Sequence, residues 1–284
     1  MLTIDSHDLE EILYVVEAAA KQESYTERTL KEFKDNLMKS RKIPKSLLVE
    51  FLEVTLSMLR SSQQNKLGHF IAITGVDKSG KETQAFNYEH KPEICSVAEY
   101  LESKAYEVLR LSLPSYNTTF GSIIASYLKK ENSTVNIEGT LTKDIAWVLW
   151  SLDRAQHNQE IQNWLAGSSR RIVVAKRWTE TNVAYQKPQG IDERRILQLE
   201  RNLARVDYTI VLDVPLEIVF NRMTASGEVP DRYETRQMLS EVSNVYKNLE
   251  KVYPIGKIIH LDGSGSYSEV NKTLINIIAQ LRLG

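Results

Sequence analysis

The feature that most restricts the fold lies beyond residue 68. Five short segments rich in branched apolar residues, "HFIAIT", "YEVLRLSL", "RRIVVAK", "YTIVLDV" and "KIIHL", alternate there with long helical stretches. Strands separated by helices must return by right-handed crossovers. They therefore form a parallel sheet with helices on both faces, and strands covered in that way read as apolar runs. The sequence predicts an α/β, three-layer domain over about residues 68–284, built on a parallel five-stranded sheet.

Residues 1–65 have a different texture and are expected to form a small all-α N-terminal domain. "SHDLEEILYVVEAAAK" puts Leu9, Ile12, Leu13 and Val16 on one helical face, with Ser6 as the expected cap. "YTERTLKEFKDNLMK" repeats the spacing with Leu30, Phe33 and Leu37, and after Pro44 a third stripe carries Leu48, Phe51, Leu52 and Leu59. These faces read as packing surfaces without chemistry. The polar stretch Ser61–Gly68 reads as a linker.

Lys and Arg number 36 against 37 Asp and Glu, a formal charge of -1, so no global field draws the protein to nucleic acid or an anionic membrane. Any anion site must be local. No segment approaches the run of roughly 18 apolar residues that spans a bilayer, and the N-terminus does not read as secretory, so a cytoplasmic location is expected. The single Cys95 excludes an internal disulfide and a multi-cysteine zinc site. It reads as buried filler in a reducing compartment.

The chemistry begins in "FIAITGVDKSGKETQAFN". Gly75 and Gly80 are separated by four residues, Lys81 follows directly, a strand precedes and a helix follows. The glycines let successive main-chain N–H groups face phosphate oxygens, and Lys81 adds a compact positive charge. Gly75, Ser79, Gly80, Lys81, Glu82 and Thr83 are the expected phosphate-binding residues. Glu82 stands where such loops usually carry the hydroxyl that meets magnesium.

"GVDKSGKETQ" resembles the phosphate loop of the thymidylate kinases, and further segments match that family in order. "VAEYLESKAYEVLRLSLPS", "TTFGSIIASYL", "VLWSLDRAQHNQEIQNWL", "VVAKRWTETNVAYQ" and "DYTIVLDVPLEIVFNRM" with "DRYE" are similar to its successive helices, strands and lid. Singly these motifs are modest; six in the right order are specific. The resemblance spans nearly all of 68–284 and implies a P-loop kinase fold, ATP and Mg as cofactors, small-molecule nucleotide substrates and a homodimer.

The resemblance also implies roles. Asp77 would lie near the acceptor phosphate and the metal, Lys81 would hold the donor phosphates, and Lys78 would reach the transferred group or remain a solvated loop lysine. Trp150 would stack on a pyrimidine, or serve in the core with Trp147, and Arg154, four residues on, would bond its edge or phosphate. Arg177 would grip the monophosphate, and Thr181, Tyr185 and Gln186 would line the sugar and base. Arg222 and Arg232 would clamp the donor nucleotide, while Arg236 reads as a surface charge.

Three departures stand against the pattern. Lys176 occupies the place of the aspartate of the family's Asp-Arg-Tyr, Tyr116 that of an arginine for the acceptor phosphate, and Glu82 that of the metal-ligating hydroxyl. Glu82, with Asp77, is expected to ligate magnesium in a rearranged site, and Lys176 to replace part of the metal's neutralising role or to pair with Glu82. "AFNYEHKPEICS" lengthens the segment after the loop, with Pro92 expected to interrupt the helix. The expected activity is transfer of the γ-phosphoryl group of ATP to dTMP. The alternatives are a degenerate relative that binds a nucleotide or a protein partner without efficient turnover, and a kinase for another small phosphate acceptor.

Overall fold

The computed structural model describes residues 2–21, 26–40, 42–59, 66–130, 133–227 and 230–283. The chain divides into two compact units, one made of Met1–Gln63, Pro114–Gln159 and Gln189–Leu203, the other of Gln64–Leu113, Glu160–Pro188 and Ala204–Gly284. Residues 1–63 are grouped with Pro114–Gln159 and Gln189–Leu203, and the second unit begins at Gln64. The first five residues of the linker lie outside the described residues.

In the first unit the chain opens with a strand that no apolar alternation announces. β1 (Leu2–Asp5) pairs in parallel with β4 (Val135–Glu138), Leu2 opposite Val135 and Ile4 opposite Ile137. The following helix, Ser6–Ala20, is capped by Asp5 rather than Ser6: the Asp5 carboxylate accepts from the backbone N–H groups of His7 and Asp8. The helices Glu27–Leu37 and Lys45–Leu59 form as their periodicity predicts, with Phe33, Leu37, Leu48 and Phe51 buried. Phe51 meets Phe120 edge-on at 5.0 Å. Gly121 admits no side chain, since a Cβ there would lie 1.8 Å from the Ser115 carbonyl oxygen.

The second unit carries the predicted sheet. β2 (His69–Thr74), β3 (Glu107–Ser112), β5 (Arg171–Lys176), β6 (Tyr208–Asp213) and β7 (Lys257–Asp262) form one five-stranded sheet in the order β3-β5-β2-β6-β7, every pair parallel. The three inner strands are buried along nearly their whole length, whereas β3 and β7 are partly exposed. Inner strands must be apolar on both faces, which is why "FIAI", "IVVA" and "TIVL" carry no polar alternation. Helices Lys81–Phe86, Val97–Ser103, Arg236–Lys247 and Tyr267–Gln280 pack on the sheet. Among the described residues no helix is long and apolar enough to cross a membrane.

Two local expectations are corrected. The helix after the phosphate loop stops before Pro92: Asn87 takes a left-handed conformation and its side chain bonds the backbone of Lys91 and Ile94, closing the turn five residues earlier. Cys95, expected to be buried, is exposed, and its thiol is pushed above the usual cysteine value by partial burial and by Glu99.

Candidate active site

Because β2 is the central strand, the loop after it opens at the carboxyl edge of the sheet, where open α/β sheets bind ligands. Gly75 (φ 143°) and Gly80 (φ 88°) supply the backbone angles the loop needs. A Cβ at Gly75 would lie 2.8 Å from the Leu212 carbonyl oxygen, so no other residue fits without moving β6. Lys78 also takes a positive φ, 58°.

The loop's polar groups are arranged for an anion. Lys81 is buried, with Nζ 2.8 Å from the Val76 carbonyl oxygen and 3.6 Å from Asp77 Oδ1. Burial, joined by the nearby charges of Arg177 and Lys176, brings its ammonium down to about 7 against the pull of Asp77. Among the described residues the buried Ser79 hydroxyl has no hydrogen-bond partner. An orphaned hydroxyl between two positive-φ glycines, with a buried cation directly after the second, fits the oxygens of a polyphosphate.

Asp77 gathers the neighbouring elements. Its Oδ1 pairs with Arg177 Nη2, and its Oδ2 accepts from the Tyr185 hydroxyl at 2.8 Å. Burial and the Asp77 charge hold the Tyr185 phenol well above its ordinary value, so it is a hydrogen-bond donor across the physiological range. Arg177 follows β5 with a left-handed backbone, φ 68°. Its N–H donates to the Ile73 carbonyl oxygen at 3.0 Å and its Nη1 to that of Leu113 at 3.3 Å. Such a conformation costs about 1–3 kcal/mol in a non-glycine residue and persists where the surroundings over-determine it.

Lys176 and Glu82, the two departures, face each other. Lys176 Nζ donates to Glu82 Oε1 at 2.8 Å, and the Ser112 hydroxyl donates to the same oxygen at 3.2 Å. Burial alone would raise the Glu82 carboxyl, but the Lys176 charge, the two hydrogen bonds and Arg177 outweigh it and hold it below the usual range. Lys176 is mostly buried, which lowers its ammonium together with Arg177, while Glu82 opposes the fall.

Thymidylate kinases use ATP and a divalent metal. The phosphate loop fits the nucleotide's tail, but Asp77 and Glu82 do not fit a protein-held metal. Both carboxylates are engaged by cations, and Lys81, Lys176 and Arg177 crowd the position with three positive charges against two negative ones. Among the described residues the one grouping of three metal-ligating side chains is His7, Asp8 and Glu11, in the other unit.

The remaining expected residues are less uniform. Thr181 is buried and its hydroxyl is held by Thr74, Tyr246 and Glu180, so it faces the interior. Gln186 is buried at the end of helix Thr179–Gln186, and Thr83 is half-buried. Arg222 donates to the Lys78 carbonyl oxygen at 3.0 Å and stacks on Tyr267, its guanidinium carbon 4.6 Å from the ring centre. Arg232 is exposed beside Tyr233, whose ring lies 5.9 Å from that of Tyr185. Arg236 lies over Phe220 at 4.1 Å. Tyr267 sits in no motif and reaches the loop only through the fold, and Tyr233 lies in "DRYE" without a role that the motif itself announces.

Trp150 and Arg154 belong to the first unit and are both buried there. Arg154 Nη1 donates to the Trp150 carbonyl oxygen at 2.6 Å and lies 4.0 Å from Glu200 Oε1; Trp150 meets Tyr127 edge-on at 5.5 Å. Beside them, burial pushes the Asp153 carboxyl up to about 7, although Arg154, the Ser115 N–H and Gln156 oppose the rise. Tyr116 carries the Lys130 ammonium 5.5 Å from its ring centre.

The family model for thymidylate kinase matches residues 73–274. A probable thymidylate kinase of Pyrococcus horikoshii is 26% identical over 76% of this chain and 98% of its own length. The thymidylate kinase of Desulfotalea psychrophila is 29% identical over 76% of this chain and 97% of its own. The solved structure of thymidylate kinase from Candida albicans superposes with a TM-score of 0.53 at 24% identity, over 76% of this chain and 92% of that one, and shares the fold. The match of the family model across most of the chain is decisive: the chain belongs to the thymidylate kinase family, a family of phosphotransferases acting on nucleoside monophosphates.

Proposed function

We propose that the protein transfers the γ-phosphoryl group of ATP to dTMP, giving dTDP and ADP. The observation that carries this reading is the cluster in which Asp77 holds Arg177, Tyr185 and Lys81 at the mouth of the phosphate loop. Phosphoryl transfer needs little covalent help. It is accelerated by holding two phosphates in line and by neutralising charge as it moves to the leaving oxygen.

Each residue has a part in that scheme. The main-chain N–H groups between Gly75 and Gly80, with Ser79 and Lys81, hold the donor phosphates, and Arg222 closes over the loop through Lys78. Arg177 grips the acceptor monophosphate, whose oxygen attacks the γ-phosphorus as the bond to the β-phosphate oxygen breaks. Asp77 fixes Arg177 and Tyr185 in place. Tyr185 and Gln186 are assigned to the sugar and base. Lys78 and Arg232 add positive charge from the loop and the lid. No step is assigned to a metal held by Asp77 or Glu82. A second reading, nucleotide binding without turnover, draws on the Lys176–Glu82 pair standing where a metal site is expected.

A coupled assay of ADP release against dTMP, dUMP, UMP and CMP tests the reading. The expected result is a kcat/KM for dTMP that exceeds the others. Equal background with all four acceptors supports the second reading, and preference for another monophosphate reassigns the acceptor.

A further inference from the structure

Lys176 ends β5 next to the strand that feeds the phosphate loop, in register with Ile73 of β2 and Ser112 of β3. Its ammonium carries three N–H groups. Among the described residues a single one is used, in the 2.8 Å bond to Glu82 Oε1. The side chain is only 14% exposed, so its two remaining N–H groups have little access to water. It is also close enough to Lys81 to disfavour that residue's charge, which places both ammonium groups in one electrostatic neighbourhood. A largely buried cation with unused donors is costly unless an anion completes it. Glu82 completes only part of it, because its own side chain is half-exposed and its Oε2 has no protein partner among the described residues.

We infer that Lys176 is a donor-phosphate-binding residue, tethered by Glu82 until a nucleotide arrives, and that it allows the protein to bind nucleoside diphosphates tightly without a divalent cation. The inference rests on the kinase reading of the loop. A phosphate oxygen in the loop takes up the two N–H groups that the interior leaves unused. In doing so it meets a fixed charge at the place where a cation-dependent site would present an acid. Lys81 completes a two-cation surround, so the charge that a metal would screen is met by side chains.

The experiment is equilibrium binding of ADP, by calorimetry, with EDTA and again with magnesium in excess. The expected result for the unmodified protein is a Kd in EDTA within about tenfold of the magnesium value, since charge-assisted bonds to two cations replace the ion's screening. Lys176→Met is expected to weaken binding by more than about tenfold in EDTA and by clearly less in magnesium, and Lys176→Arg, which keeps the charge, to recover most of the EDTA affinity. A structural role alone would lower both affinities equally and would not separate the two conditions. Unmodified protein that binds ADP only with magnesium overturns the inference, as does Lys176→Met binding like the unmodified protein in EDTA. Lys81→Ala serves as the control for the loop itself. If the unmodified protein binds no ADP in either condition, the kinase reading fails along with the inference drawn from it.

Discussion

Tyr185 donates its hydroxyl to Asp77 Oδ2 at 2.8 Å, which ties the helix Thr179–Gln186 to the phosphate loop through one carboxylate. The other oxygen of that carboxylate holds Arg177. Replacing Asp77 by Asn keeps the shape and removes the charge that restrains a guanidinium and an ammonium together. Turnover of ATP and dTMP by Asp77→Asn is expected to fall by about 10²-fold or more, the scale at which loss of a preorganised charge is felt in a transition state. Tyr185→Phe removes one hydrogen bond and leaves the charges in place, so its loss should stay near tenfold, in line with about 1 kcal/mol per bond. Steady-state kcat at saturating nucleotide separates the two; equal losses would deny Asp77 its organising role.

Lys81 sets a pH limit on nucleotide binding. Its ammonium is brought down to about 7 by burial and by Arg177, so above that pH the nucleotide-free protein has released the proton. Phosphates favour the charged form and raise the value again, so the complex binds a proton that the free protein lacks. The Kd for ADP should therefore rise with pH above about 7, by up to about tenfold per unit until the value of the complex is reached. Titration of ADP binding between pH 6.5 and pH 9, as a range of about two to three units around the shift, checks the sign. A Kd that is flat or falls with rising pH would contradict a buried, titrating Lys81.

Asp153 contributes to stability in the opposite direction from an ordinary paired carboxylate. Its folded value of about 7 lies above the usual aspartate value of 3.8 because it is buried. Between those values the folded chain keeps a proton that the unfolded chain has lost. The contribution is complete below about 4 and declines as pH rises toward 7, at roughly 1.4 kcal/mol per unit. Urea midpoints from pH 5 to pH 7.5, roughly the upper part of that window, should fall for the unmodified protein, and Asp153→Asn should flatten the slope. Parallel profiles for the two proteins would remove Asp153 as the cause.

Tyr267 supports the donor side of the loop. Its ring lies under the Arg222 guanidinium at 4.6 Å, with the Lys91 ammonium 4.7 Å from the ring centre, and a Cβ at Gly80 would meet it at 2.7 Å. Tyr267→Ala releases Arg222 from this stack. The expected effect is a several-fold rise in KM for ATP, corresponding to about 1 kcal/mol of lost cation–π and packing support, with KM for the acceptor little changed. A rise confined to the acceptor would place Tyr267 elsewhere in the cycle.

The sheet and the loop were legible in the sequence because their causes are local. Inner strands such as Ile71–Ile73 and Val173–Ala175 must be apolar on both faces, and a loop that cradles phosphate needs glycine where φ turns positive. The cluster around Asp77 was legible only as a set of roles from resemblance. The bonds that join Asp77, Arg177 and Tyr185 span about a hundred positions of sequence, and nothing local encodes them. Tertiary pairing also explains β1, since Leu2–Asp5 becomes a strand only because Val135–Glu138 offers it an edge. Asp5 displaced Ser6 as a cap because that strand delivers Asp5 in an extended backbone at the helix start. Lys176 and Glu82 form a charge pair whose partners lie 94 positions apart, so neither residue's own neighbourhood in the sequence announces it.

Central to all of this is phosphoryl transfer at the phosphate loop, and the most direct measurement follows the phosphorus itself. The protein is incubated with ATP carrying a labelled γ-phosphate and with dTMP, beside the Lys81→Ala variant, and labelled dTDP is separated and counted. Label is expected to appear in dTDP with the unmodified protein and to fall by at least about 10²-fold in the variant, the usual effect of removing a charge from the transferring phosphates. Label that stays in ATP with both proteins, or reaches dTDP equally with both, would contradict it.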